Sequence, residues 1–133
     1  MVSGFTLMEV LVVVAIIGIL ASIVIASFSG SRERARDAAR ISDLQQLSLN
    51  MALYRDANGG YPASLNDLVP DFISVLPTDP LGAAYTYQTS GGRYFIRADL
   101  ELASSKPTNA ISSIPGIGAS SACSGATVYC VGR

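Results

Sequence analysis

Gly4-Phe5-Thr6-Leu7-Met8-Glu9 opens the chain and runs straight into Val10-Leu11-Val12-Val13-Val14-Ala15-Ile16-Ile17-Gly18-Ile19-Leu20. From Val10 to Ser31 no side chain is charged. About 20 apolar residues of helix cross a bilayer core of ~30 Å, so this stretch predicts a transmembrane helix. A strand of that length would leave its backbone groups unsatisfied in lipid. The run also exceeds the apolar core of an ordinary secretory signal, about 7–15 residues.

Glu9 is the anomaly. A carboxylate at the edge of an apolar span costs on the order of 2–3 kcal/mol on insertion scales. One reading places it in a first helical turn, where the helix dipole favours negative charge. The other gives it a partner. Cleavage after Gly4 would leave Phe5 with a free, positively charged amine, within one subunit's reach or a neighbour's.

The string from Gly4 to Val12 resembles the class III signal of type IV pilins and type II secretion pseudopilins: Gly, an aromatic residue, Thr, Leu, any residue, Glu, then a long apolar stretch. The resemblance implies that a prepilin peptidase cuts between Gly4 and Phe5 and methylates the new amine. It implies that Glu9 helps to align subunits during assembly. It implies an α+β fold of type IV pilin layout, with a long N-terminal helix on a small antiparallel sheet. The leader, residues 1–4, lacks the basic residue that such leaders often carry. After the run come Arg32, Arg34, Arg36 and Arg40, partly offset by Glu33, Asp37 and Asp43. By charge alone that end would face the cytoplasm, the reverse of pilin topology; the motif is taken over the charge.

The composition excludes several alternatives. Charged residues make up 14% of the 133, against half that are hydrophobic, where soluble domains carry roughly a quarter charged. The net charge of −1 indicates no nucleic-acid partner. With no His, the commonest general base and metal ligand is missing. No serine sits in a nucleophile elbow, and Gly91-Gly92 reads as a hairpin turn, not a phosphate loop. The chain reads as no enzyme, with no cofactor.

Beyond the span, Arg32 to Asp56 holds neither Pro nor Gly and is rich in helix formers. Ile41, Leu44, Leu47, Met51 and Tyr54 form an apolar stripe at helical spacing, which Leu49 and Leu53 would widen. Gly18 and Gly30 are the weak points, and Asn58-Gly59-Gly60 ends the helix. Ser64 to Val69 predicts one helical turn. Two strands follow, Ala84 to Gln88 and Arg93 to Glu101, around a turn at residues 89–92. Tyr85, Tyr87 and Tyr94 read as sheet-face packing against the stripe.

After Glu101 the composition is that of a loop, rich in Ser, Gly, Ala and Thr. Cys123 and Cys130 lie near its end. A disulfide is the better reading, ahead of two buried thiols, and implies an oxidising compartment. It would contribute about 2–3 kcal/mol in the chain-entropy model. Asp67, Asp71, Asp79, Asp99 and Glu101 read as solvated. Related pseudopilins carry calcium after the hairpin, but no acid follows Glu101 here, so no metal site is expected.

The expected organisation is a leader (1–4), a transmembrane assembly helix (5–31), its amphipathic continuation (32–56) and a C-terminal globular part (57–133). The acid-free tail favours a structural subunit of an extracellular type IV pilus. The alternative is the major pseudopilin of a type II secretion system; from another class comes a single-span, membrane-anchored extracellular binding module. The implied partners are further copies of the chain, the prepilin peptidase, the inner-membrane assembly machinery and, before assembly, membrane lipid. The expected location is a single-pass cell membrane protein that becomes an extracellular filament.

Overall fold

A computed structural model describes residues 5–112 and 123–133, with the side chains of residues 23–29 outside the described set. The expected leader and cleavage residue, residues 1–4, lie outside it as well. A single helix, α1, runs Leu7–Asn58. Gly18 and Gly30 both remain helical, so the expected weak points do not interrupt it. The chain divides into two compact units, Met1–Glu33 and Arg34–Arg133.

In the first unit every described side chain from Phe5 to Ser22 is exposed. Leu7 is 83% exposed and Ile19 65%. A helix apolar on all sides suits lipid or close-packed neighbours, not water. Among the described residues no helix is long and apolar enough to cross a membrane. Within the expected span, 5–31, the side chains of residues 23–29 lie outside the described set.

The second unit is built on the rest of α1. Leu44, Leu47 and Met51 are fully buried, with Ile41 and Tyr54 packed beside them. Leu49 and Leu53 do not widen this stripe. They are 63% and 48% exposed, because 100° per residue turns them away from Leu47 and Met51. Gly59 ends the helix as expected. Its φ of +78° is left-handed, and its N–H donates to the Arg55 carbonyl at 2.8 Å.

The helical turn expected near residue 65 is a 3-10 turn, Leu65–Leu68, closed by a reciprocal cap between Ser64 and Asp67. Asp67 is thus a capping residue. The hairpin pairs β1 (Thr86–Ser90) with β2 (Arg93–Asp99). Thr89 and Ser90 belong to the strand, opposite Tyr94 and Arg93. The turn is Gly91-Gly92 alone, with φ of +58° and +76°; positive φ at both central residues matches the natural twist of a two-residue hairpin.

The tail is not all loop. β3 (Val128–Gly132) pairs antiparallel with β2, giving the order β1-β2-β3. Val128-Tyr129-Cys130-Val131 is β-branched and aromatic, a strand composition that the Ser- and Gly-rich surroundings obscure. Ile96, Ala98, Leu100 and Tyr129 face the helix stripe. Phe95, Val128 and both cysteines form a second cluster. Tyr85 and Tyr94 are buried as expected, their hydroxyls bonded to Asp43 (2.6 Å) and Ser48 (2.9 Å).

Candidate functional site

The N-terminal end of α1 places the residues expected to act in processing and assembly. Phe5 precedes the helix and is 77% exposed. Thr6 caps it. The Glu9 N–H donates to the Thr6 carbonyl at 3.1 Å and to its hydroxyl at 3.3 Å. Thr6-Leu7-Met8-Glu9 is therefore a cap sequence as well as part of the motif read as a processing signal. Glu9 sits in the first turn, where the exposed helix dipole favours its charge. The cap role of Thr6 was legible in the T-x-x-E spacing. Gly4 lies outside the described residues.

In the C-terminal unit the sequence reading missed an ion cluster. Asp37 and Arg40, 0% and 2% exposed, occupy the same helix face as Leu44 and Leu47. Arg40 reaches Asp79 through Nε at 2.5 Å and Nη2 at 3.1 Å. Its Nη1 reaches Asp37 at 2.8 Å and Glu101 at 2.9 Å. Arg36 grips both oxygens of Glu101. The Asp37 carboxylate accepts the backbone N–H groups of Glu101 and Leu102 at 2.8 and 3.0 Å. Asp79 and Glu101 are consequently not the solvated acids that composition suggested. The signal was the spacing 37, 40, 44, 47, 51, which puts two charges on the core stripe.

The cluster holds its acids ionised. Arg36, and then Arg40, pull the Glu101 carboxyl down to about 2. Arg40 likewise lowers Asp79. Burial pushes Asp37 upward, but the N–H donors of Glu101 and Leu102 outweigh it and the net direction is down. These acids bind fewer protons folded than unfolded. Their contribution to stability is therefore present above their ordinary values, 3.8 to 4.5, and is lost as pH falls toward 2.

At the far end of the unit, Cys123 and Cys130 are joined by a disulfide, with Cα atoms 5.8 Å apart. Both are buried, at 0% and 1%. A thiol-reactive label is expected to leave the folded protein unmodified until reductant is added; stoichiometric labelling of native protein without reductant would contradict the bond. Among the described residues no group of three or more His, Cys, Asp or Glu could hold a metal ion. Asp79 and Glu101 are already committed to arginines, and no acid follows Glu101. The residues present do not fit a calcium site after the hairpin.

Comparison with known proteins agrees with this layout. A model of the prokaryotic N-terminal methylation motif matches residues 1–25. The type II secretion system core protein G of Aeromonas hydrophila is 36% identical over 106 residues, covering 67% of this chain and 74% of that protein. The chain belongs to the type IV pilin and pseudopilin family. The core protein G of Vibrio cholerae serotype O1 is also 36% identical, over 107 residues, or 68% of this pilin-like chain and 73% of the relative. That of Dickeya chrysanthemi is 34% identical over 105 residues, 66% and 69% of the two chains. No solved structure gives a significant match. A chain of this family is a structural subunit, not an enzyme.

Proposed function

We propose that this pilin-family chain is the major pseudopilin of a type II secretion system. It is cut after Gly4, methylated on Phe5, and polymerised through its N-terminal helix. The observation that carries the reading is the exposed apolar segment from Phe5 to Ser22 with its single acid, Glu9, in the first turn of α1. Such a surface needs lipid before assembly and the helices of other copies after it. The sequence alone favoured a surface pilus, because the tail has no acids. The relatives, each named as a core protein G of type II secretion, support the alternative instead.

Before assembly the N-terminal segment anchors the subunit in the cell membrane. The C-terminal unit lies on the non-cytoplasmic side. The disulfide supports that orientation, since such bonds persist in oxidising compartments. The arginines that argued otherwise weigh little, because Arg36 and Arg40 are neutralised by Glu101, Asp37 and Asp79.

Intact-mass measurement tests the processing. The expected mature mass lacks Met1 to Gly4 and carries one added methyl group. Gly4→Leu, which crowds the scissile bond, is expected to leave full-length precursor in the membrane. Normal cleavage of that variant would place the cut elsewhere. Deleting the gene separates the two family readings. Loss of protein release to the medium is expected; intact release with loss of surface fibres would return the reading to a pilus.

A further inference from the structure

The connection from β2 to β3 has to be fastened by something. A calcium ion is one means of fastening such a segment, and it takes about six to eight oxygens, with carboxylates foremost. From Leu102 to Arg133 this chain has no Asp or Glu. Its two ends meet differently. The Lys106 ammonium donates to the Gly125 carbonyl at 2.8 Å. That carbonyl also accepts the Val128 N–H at 3.4 Å, at the entry to β3. Gly125 has φ of +138°, and a Cβ there would lie 3.1 Å from the Val128 side chain, so the turn that presents this oxygen needs glycine. Two residues earlier, Cys123 is bonded to Cys130 within β3, opposite Arg97 of β2. The pair packs with Phe95 and Val128, and the Cys130 carbonyl accepts the Ile111 N–H at 3.4 Å.

We infer that this chain fastens β3 onto β2 with the Lys106 ammonium and the Cys123–Cys130 bond in place of a divalent cation. Registration of β3 then depends on thiol oxidation and is indifferent to calcium. The lysine does what an ion would do, setting positive charge against a carbonyl oxygen, and its charge repels a second cation. Forming the bond removes two protons and two electrons from the thiols. A disulfide-bearing oxidant of the compartment takes them up and is itself reduced to a dithiol. The inference rests on family membership and not on the choice between pilus and pseudopilus.

Hydrogen exchange of the full chain in detergent tests it, read on peptides covering β3. Protection is expected to be the same within about twofold in chelator and in about 10 mM calcium chloride, above the ~1 mM that fills weak extracellular sites. Reduction of the folded protein is expected to speed β3 exchange about tenfold or more, and calcium is not expected to reverse it. Lys106→Ala is expected to speed it about two- to tenfold, with Lys106→Arg restoring most of the protection. A tenfold gain in β3 protection from calcium would overturn the inference. So would unchanged protection after mass spectrometry has verified the reduction. A Lys106→Ala variant exchanging like the parent would remove the lysine's part. Because reduction is applied to protein already folded, the test does not require a cysteine variant to fold.

Discussion

Glu9→Gln is expected to leave processed subunit in the membrane and to lower subunit in the assembled fraction about tenfold or more. The substitution separates the two roles that the N-terminal geometry allows. Glutamine keeps the side-chain length and is itself accepted at the third position of a helix cap, so the turn that starts with Thr6 survives. What is lost is the charge. A carboxylate and the Phe5 amine about 4 Å apart, at an effective dielectric near 20, attract by roughly 4 kcal/mol. Desolvation offsets part of this, leaving about 1–3 kcal/mol for docking and register, and each 1.4 kcal/mol is about tenfold in an equilibrium. Cleavage should persist, because the Gly4–Phe5 bond is untouched. Paired blots of membranes and of sheared or overexpressed filaments measure both fractions. Normal assembly of the Gln variant would reduce Glu9 to a helix-start residue. Thr6→Ala is the control: losing the cap should cost about 0.5–2 kcal/mol of local helix stability, without the charge effect.

Arg40→Ala is expected to destabilise the C-terminal unit by about 3–5 kcal/mol, the range for breaking a buried ion pair. Three carboxylates face the vacated guanidinium: Asp37, Asp79 and Glu101. Asp37 is fully buried, and without Arg40 it keeps its two backbone donors but loses its counter-charge. In a unit of this size the melting temperature should fall by more than about 10 °C. Arg36→Ala should cost about 1 kcal/mol or less, since its side chain is 31% exposed and solvent screens it. Thermal unfolding of the full chain in detergent compares the two. Equal, small shifts would mean that the cluster does not tie the loop of Asp79 and the exit of β2 to the helix. The parent should also lose stability as pH falls from about 4 toward 2, because Asp79 and Glu101 take up protons more readily in the unfolded chain than in the folded one.

Much of this architecture is local and was legible in the residue order. The helix from Leu7 to Asn58 follows from helix formers uninterrupted by Pro, and its end follows from Gly59. The hairpin follows from alternation around Gly91-Gly92. The family follows from a contiguous motif, and Leu44, Leu47 and Met51 from their spacing. Each of these depends on neighbours within a few residues along the chain.

Tertiary structure decided the rest. Whether Leu49 joins the core depends on which helix face the sheet covers, and only the packed unit shows that it does not. Val128 to Gly132 becomes a strand because β2 offers it a free edge some thirty residues earlier in the chain. Asp37 and Arg40 look like surface charges in sequence. They are buried because folding brings Asp79 and Glu101, 39 and 61 residues beyond Arg40, into contact with them. A charge enters a core only where distant partners converge on it, and sequence order does not display that convergence.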